Sequence, residues 1–213
     1  AGLGSLAAVG ALSAIGGPTT LLLTAPVAAL GAVVLQRGRW RTLTIGVALA
    51  TLVAAITLPS VMGIRITADK VLGSASIAEL LEDSEKNLGT RWNSMSRVDL
   101  VEVNGNRVFL IDAGVALTRL PHIRKPIEEV SPFLDFTTIP FSLVESPDVL
   151  VLGSGGGWEV AGALSHGATN VTAVEINPAI NDMVQLEINK RWLNGLFGHP
   201  RVELVTDEGR AFL

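Results

Sequence analysis

The residues with the clearest chemical potential are a cluster of glycines. Positions 153–157 are Gly-Ser-Gly-Gly-Gly and follow the apolar run at 149–152. A glycine turn between a strand and a helix lets backbone approach a ligand closely, and the helix start offers free N–H groups. Such a turn is explained as often by tight packing as by a ligand. The cluster alone therefore does not establish a binding site.

Two carboxylates strengthen the case for a ligand. Glu175 follows the apolar run 171–174, and Asp207 follows the run 201–206. An acid about 20 residues after a glycine turn is placed to accept hydrogen bonds from ribose hydroxyls. Asp207 has two interpretations, a contact to an adenine amino group or a cap for a helix starting at Gly209. Because sites in parallel sheets lie beyond the carboxyl ends of the strands, this spacing predicts a nucleoside site.

The glycine spacing also bears on which nucleoside is bound. A dinucleotide fingerprint, G-x-G-x-x-G, matches Gly153 and Gly155 but has Trp158 at its third position. Starting at Gly155 and Gly157 places Val160 there instead. The third glycine permits close packing of helix on strand, which an indole would obstruct. NAD and FAD are therefore disfavoured, and S-adenosylmethionine, which has no pyrophosphate, fits better.

The elements that must position these residues alternate between strand and helix. Strands are predicted at 149–152, 171–174 and 201–206, with helices at 158–165 and 178–192. Asn177 and Pro178 form a helix start, as cap and first helical residue. Alternation of this kind predicts α/β architecture, a partial Rossmann-like parallel sheet with flanking helices.

A small β-rich unit with a short helix is predicted upstream. Asn104-Gly105 separates two apolar, β-branched runs, which is a strong hairpin signal. Ser76 and Glu79 have capping-box spacing, and the acidic helix they start is expected to end near Leu88. Five prolines between 118 and 148 predict a loop-rich connection with one short helix.

The N-terminal part of the chain is apolar enough for a membrane. Residues 1–36 contain no charged residue or histidine, and the runs 19–35 and 43–62 flank a basic, Trp-bearing turn. About 20 apolar residues span a bilayer as a helix, so we expect a transmembrane hairpin. The alternative is two buried helices of a soluble protein. Residues 1–16 are interpreted as the end of a longer membrane region.

Composition excludes several classes of function. There is no cysteine, and the three histidines lie far apart, so a metal site is not expected. After Met62 the chain has 13 basic and 20 acidic residues, a net charge of −7. An acidic domain of this kind is a poor nucleic-acid binder.

Beyond these patterns the sequence carries a family resemblance. Residues 150–180, LVLGSGGGWEVAGALSHGATNVTAVEINPAI, resemble the cofactor-binding core of the spermidine synthase-like branch of class I S-adenosylmethionine-dependent transferases. Residues 92–99 are similar to the strand entry of that family's β domain, and 207–212 to its Asp-x-Arg-x-Phe segment. Membrane-embedded members also place apolar helices ahead of this domain.

The resemblance implies a transferase using S-adenosylmethionine or its decarboxylated form and passing a methyl or aminopropyl group to an amine-type acceptor. It would place Glu175 on the ribose and Asp207 at the adenine. Polyamine synthases usually carry an Asp in the loop, where Gly156 or Gly157 stands here. The family's catalytic Asp follows a later strand than this chain contains, so no catalytic residue is named. The candidate cofactor-binding residues are Gly153, Ser154, Gly155, Gly156, Gly157, Glu175, Ile176, Asp207 and Glu208.

Four segments follow from these patterns. They are transmembrane helices (1–62), a β-rich unit (63–117), a Pro-rich connection (118–147) and a partial nucleoside-binding domain (148–213). The expected partners are the lipid bilayer, a small-molecule acceptor and a second copy of the chain, bound through the β-rich unit. Because its later strands are missing, the fragment is expected to bind cofactor weakly without turnover.

Two questions stay open at this point. Three arginines at 37–41 favour a cytoplasmic turn, which would send the soluble domain outward, whereas the implied cofactor is made in the cytosol. We favour an integral membrane protein with a cytoplasmic domain. The alternative function is a membrane transporter or channel with a nucleoside-sensing domain, which charged intramembrane residues ahead of Ala1 would support.

Overall fold

The computed structural model describes residues 2–58, 70–133 and 135–213. The predicted boundary at 62/63 and the end of the second apolar run lie outside these residues. The chain forms two compact units. One consists of Ala1–Thr67 with Arg91–Ser96, and the other of Ala68–Thr90 with Arg97–Leu213.

The first unit contains two long helices. Helix α1 spans Gly2–Leu35 and α2 spans Trp40–Thr57. Gly16, with φ 77° and ψ 167°, interrupts α1 and divides it into two helical pieces. Gly17–Leu35 and α2 are each long and apolar enough to cross a membrane, and little of either is buried in this chain. The predicted turn at 36–41 is shorter than expected, because α2 already begins at Trp40.

Several hydroxyl groups in these helices donate hydrogen bonds within their own helix. The side chains of Ser13, Thr20, Thr51 and Thr57 donate to the carbonyl oxygens four residues earlier, over 2.7–3.2 Å. This back-bonding leaves the helix surface without unpaired hydroxyl donors at those positions.

The second unit begins with short elements and an antiparallel sheet. A two-residue pair, β1 (Val71–Leu72) and β2 (Ala75–Ser76), leads into α3 (Ile77–Glu82). Four strands then form a sheet in sequence order. They are β3 (Asn87–Trp92), β4 (Arg97–Val103), β5 (Asn106–Ile111) and β6 (Ala116–Leu120).

The antiparallel sheet confirms one sequence prediction and corrects two. The hairpin at Asn104-Gly105 is confirmed, with positive φ at both residues and β4 antiparallel to β5. Helix α3 ends at Glu82, not near Leu88, because Asp83 turns to an extended conformation and the chain continues into β3. Strand β6 runs through 117, where the β-rich unit was expected to end.

The connection to the parallel sheet contains two 3-10 turns, Ile127–Glu129 and Ile139–Leu143, instead of one short helix. The elements that follow are β7 (Asp148–Leu152), α4 (Trp158–Ser165), β8 (Asn170–Glu175), α5 (Pro178–Val184), α6 (Glu187–Trp192), a 3-10 turn (Leu196–Gly198), β9 (Val202–Thr206) and α7 (Gly209–Phe212). The helix predicted from 178 to 192 is thus two helices.

The predicted parallel sheet is confirmed. Strand β8 pairs in parallel with β7 on one side and β9 on the other, so β7 lies at one edge of the sheet. A single hydrophobic core joins this sheet to the antiparallel one; Leu100 and Phe109 belong to the same buried cluster as Val160 and Ile180. On the opposite face of β7, Leu150 and Leu152 are 42% and 47% exposed.

Candidate functional site

The candidate ligand residues meet at the carboxyl edge of the parallel sheet. The register aligns Leu152 of β7 with Val174 of β8, and Glu175 of β8 with Thr206 of β9. The glycine turn, Glu175 and Asp207 therefore follow three adjacent strands at the same edge. Sequence spacing alone predicted this convergence.

The glycine turn at 153–157 is fixed to β8 by its own backbone. The N–H groups of Gly153 and Ser154 both donate to the carbonyl oxygen of Val174, over 2.7 and 3.0 Å. Gly153, Gly155 and Gly157 have φ of 77°, 50° and 92°, the left-handed region in which a side chain is strained. The turn thus needs glycine for its conformation as well as for close approach.

Glu175 holds the middle of the glycine turn. Its side chain is buried, and Oε2 accepts the N–H of Gly155 over 3.0 Å while Oε1 accepts the N–H of Asn177 over 2.8 Å. Asn177 in turn caps α5 by accepting the N–H of Ala179. Each carboxylate oxygen can accept a further hydrogen bond, so the group can order the turn and still contact a hydroxyl.

Gly156 contacts the antiparallel sheet directly. Its N–H donates to Thr118 Oγ1 over 3.0 Å, and a Cβ at this position would lie 2.2 Å from the carbonyl oxygen of Arg119. A Cβ on Gly157 would meet Phe197 and Leu196 at 2.8 and 2.9 Å. A side chain has no room at Gly156, where backbone blocks it, and at Gly157 it would have to displace two side chains and bear the strain of a φ of 92°. The loop Asp usual in polyamine synthases is therefore disfavoured here.

The open part of the site lies on the other side of the turn. A Cβ on Gly153 would have no atom within 4 Å, and Ile176, directly after Glu175, is 49% exposed. Asp207 is exposed as well. The hydroxyl of Ser154 is buried without a hydrogen-bond partner. An exposed apolar side chain and an exposed carboxylate thus follow the two strands that come after the turn.

Asp207 does not cap the last helix. That role belongs to Glu208, whose side chain accepts the N–H of Ala211 over 3.1 Å at the start of α7. Oδ1 of Asp207 accepts the N–H of Glu208 over 2.7 Å. The interpretation of Asp207 as a helix cap is therefore wrong, and its second oxygen accepts no hydrogen bond from the residues that the structure describes.

Trp158, the first residue of α4, is anchored to the Pro-rich connection. Its Nε1–H donates to Oδ2 of Asp135, and its ring lies 5.0 Å from that of Phe133. The hydroxyl of Thr137, followed by the indole N–H of Trp158, donates to Asp135 and lowers the pKa of its carboxyl group. The contacts on the indole are those of a structural anchor.

Two further contributors escaped sequence reasoning. Thr118 reaches the glycine turn from 38 residues away, and no local pattern marks it. Asn181 in α5 is buried and its Nδ2 donates to Thr206 Oγ1 over 2.8 Å, which ties α5 to the end of β9. The signal available in the sequence was a polar residue one helical turn after the N-cap Asn177.

The histidines do not form a metal centre. Within residues 2–58, 70–133 and 135–213, no group of three or more metal-ligating side chains is positioned to hold an ion. His166 contacts the carbonyl oxygen of Phe133 and His199 the carboxylate of Glu128, both over 2.9 Å. These two rings connect the Pro-rich connection to the parallel-sheet region.

Comparison with known proteins gives a partial match. No protein-family model matches the chain. Polyamine aminopropyltransferase 2 of Pseudomonas aeruginosa is 27% identical over 127 residues, which cover 58% of this chain and 33% of that protein. The chain thus spans about a third of the length of the curated relative it matches. The match agrees with the resemblance to spermidine synthase-like proteins.

Two solved structures align with part of the chain. They are spermidine synthase from Thermotoga maritima and a spermidine synthase in complex with the transition-state analogue AdoDATO. Each is 18% identical with a TM-score of 0.43, and each match covers 60% of this chain and 42% of the other. Because the identity and TM-score of these structures are low, the match to polyamine aminopropyltransferase 2 is the comparison that bears on function.

Proposed function

We propose that the carboxyl edge of the parallel sheet binds the nucleoside part of S-adenosylmethionine or decarboxylated S-adenosylmethionine. Glu175 accepts the ribose hydroxyls, Ile176 contacts the adenine ring, and Asp207 accepts the adenine amino group. The observation that carries this proposal is the buried carboxylate of Glu175, which joins the N–H of Gly155 to the start of α5 at the carboxyl edge. An acid in that position supports ribose recognition.

The residues present fit such a ligand. The space beside Gly153 is free, and an exposed apolar side chain at Ile176 offers a surface for a planar base. The exposed carboxylate of Asp207 supplies a further polar group. Ser154, Gly155, Gly156 and Gly157 shape the turn, and Glu208 fixes the helix that follows Asp207.

We propose group transfer to an amine acceptor as the reaction, with aminopropyl transfer favoured by the similarity to an aminopropyltransferase. A sulfonium donor supplies an activated carbon and departs as a neutral thioether. The amine forms a bond to that carbon as the carbon–sulfur bond breaks, and then loses a proton. The described residues bind and orient the donor, which is the main contribution such a displacement needs. No catalytic residue is assigned.

We also propose that Gly17–Leu35 and α2 span a bilayer, with the second unit on the cytoplasmic side. Support comes from their length, their lack of charged side chains within 17–35, and the exposure of their apolar side chains. In a membrane preparation, the chain should resist carbonate extraction at high pH. Release into the soluble fraction would contradict the anchor. A homodimer through the β-rich unit stays a prediction.

The binding proposal is tested by calorimetric titration of the detergent-solubilised full chain. The ligands are S-adenosylmethionine, its decarboxylated form and NADH, and the variants are Glu175→Ala and Glu203→Ala. Glu203 is an exposed acid near the start of β9, away from the carboxyl edge. We expect a sulfonium compound to bind, Glu175→Ala to abolish binding, and Glu203→Ala to preserve it.

Each other outcome has a defined meaning. Preference for the decarboxylated donor supports aminopropyl transfer, and preference for the parent compound supports methyl transfer. If a longer form of the protein binds the sulfonium compound but transfers no group to any amine acceptor tested, the sensor function would be favoured. Binding of NADH alone, or binding unaffected by Glu175→Ala in a folded variant, would contradict the proposed site.

A further inference from the structure

An open cleft lies between the end of β6 and helix α6, within the second unit. It has a volume of about 460 Å³. The residues that line it are Arg107, His122, Glu187, Ile188, Arg191 and Trp192. None of them belongs to the proposed nucleoside site, and the cleft has an aromatic part and a cationic part.

The aromatic part is a two-ring stack that ends in solvent. His122 lies parallel to Trp192, with ring centroids 3.7 Å apart and planes inclined by 13°. The indole is fixed because its Nε1–H donates to the carbonyl oxygen of Leu120 over 3.3 Å. Trp192 is partly buried, whereas His122 is exposed. A third planar group could therefore extend the stack on the His122 side.

Arg107 supports this stack and is already neutralised. Its Cζ lies 4.4 Å from the Trp192 centroid, and Nε donates to Glu102 over 3.1 Å. Nη1 donates to the carbonyl oxygen of Ile188 over 2.8 Å. These contacts fix the guanidinium as part of the wall, so Arg107 alone does not make the cleft cationic.

Of the remaining charged residues that line the cleft, Arg191 is the uncompensated one. Glu187 lies at the edge of the cleft, and its Oε1 forms an ion pair with Lys190 Nζ over 3.5 Å. Arg191 and Arg124 are exposed, and neither has an ion-pair partner among the described residues. Arg191 is therefore the cation that the cleft offers to a ligand, and Arg124 follows His122 by two residues in the chain.

We propose that this cleft binds a nucleotide, with the base stacked on His122 and the phosphate held by Arg191. A planar guanidinium presents paired donors that match phosphate oxygens, and aromatic rings accept any base through its π face. Adenosine monophosphate is the probe that combines both features.

Protonation of His122 responds to the bound phosphate. Burial, then the charges of Arg124 and Arg107, lowers the pKa of this imidazole, and only Glu102 opposes the shift. Glu187 and Arg191 line the same cleft from α6. A bound phosphate offsets the arginine charges, so the pKa of His122 rises when the site is filled.

The test is titration of the full chain with adenosine monophosphate, inorganic phosphate and adenosine, followed by calorimetry and by the NMR signal of His122. We expect adenosine monophosphate to bind more tightly than phosphate and to raise the pKa of His122. Arg191→Ala should weaken binding about tenfold or more, as for loss of a charge-assisted hydrogen bond. His122→Phe should retain most of the affinity, and His122→Ala should lose it.

Two control variants separate this cleft from other causes. Arg210→Ala removes an arginine whose side chain is 94% exposed outside the cleft, and should leave binding unchanged. Glu175→Ala removes the proposed ribose contact at the other site, so adenosine monophosphate bound there is lost while the rise in the pKa of His122 is retained. Absence of binding at millimolar concentration overturns the proposal. Binding that is abolished by Glu175→Ala but unaffected by Arg191→Ala would also overturn the proposal.

Discussion

The carbonyl oxygen of Arg119 occupies the space that a side chain on Gly156 would need, since a Cβ there would lie 2.2 Å away. Strand β6 therefore covers the glycine turn, and the N–H of Gly156 donates to Thr118 in the same strand. Two sheets that are separate in sequence meet at this contact. The glycine is required by a neighbouring strand, independently of any ligand.

The first prediction compares two glycines of the turn. Gly156→Ala must displace β6 and should lower the free energy of unfolding by about 3 kcal/mol, the upper end of typical overpacking costs. Gly153→Ala meets no atom within 4 Å and bears only the strain of positive φ, about 1 kcal/mol. Denaturant unfolding measures both, and amide exchange of Thr118 reports on β6. Unchanged stability and exchange in Gly156→Ala would contradict the close contact.

The second prediction concerns the buried carboxylate. In Glu175→Gln one oxygen becomes an NH₂ group, and since Gly155 and Asn177 donate to different oxygens, either orientation opposes two donors. The variant should lose about 1–3 kcal/mol of stability, the cost of an unpaired buried donor. Glu203→Gln, on an exposed strand position, is the matched control and should cost little. Equal stability of the two variants would be incompatible with the bridging role of Glu175.

The third prediction concerns the anchor between Asp135 and Trp158. Asp135→Asn should change the fluorescence of Trp158 and reduce stability at neutral pH, because the amide loses a charge-assisted acceptor. The pKa of Asp135 is lowered on folding, so its contribution is complete above the ordinary value near 3.8 and disappears as pH falls through the folded value. Stability curves of the two proteins should therefore converge in acid. A constant difference down to pH 2 would show that the charge of Asp135 is not responsible.

The fourth prediction concerns His122 without ligand. Its pKa is lowered on folding, so the unfolded chain takes up the proton first and stability falls as pH decreases from about 6.5 to the folded value. His122→Phe keeps a ring on Trp192 but cannot be protonated. It should gain stability relative to the parent between pH 8 and pH 5, measured by urea unfolding. Parallel pH profiles of the two proteins would be contrary to this linkage.

Local sequence signals were sufficient where one element follows another closely. The alternation of apolar runs with glycine and proline predicted β7, α4 and β8, and helix α4 spans the residues expected. Asn177 caps α5 as its position before Pro178 indicated. In these segments short-range chemistry and tertiary packing favour the same structure.

Local signals failed where a distant contact decides the structure. The helix expected to run from 178 to 192 breaks at Leu186, which has an extended conformation without any glycine or proline. Buried Asn189 compensates by donating to the carbonyl oxygen of Met183 over 2.8 Å. Likewise, α3 was expected to continue to Leu88, but the chain turns after Glu82 and enters β3, which pairs with β4. Propensity is a weak guide when a sheet offers backbone partners.

The site was predictable only in part for the same reason. Glu175 was identified from its spacing to the glycines, because strand, turn and helix fix that distance along the chain. Thr118 and Asp135 contact the site from 38 and 23 residues away through the antiparallel sheet and the connection. Such contacts depend on how the two sheets pack, and periodicity in a single sequence does not encode that packing.

Strand β7 has consequences for handling the protein. One side of its backbone pairs with β8, whereas the other has no strand partner among the described residues, and Leu150 and Leu152 expose apolar surface beside that edge. An open, apolar edge strand is a template on which another chain can add a strand. Preparations of this polypeptide should therefore self-associate with rising concentration even in detergent. A charged residue at 150 is the substitution expected to improve solubility.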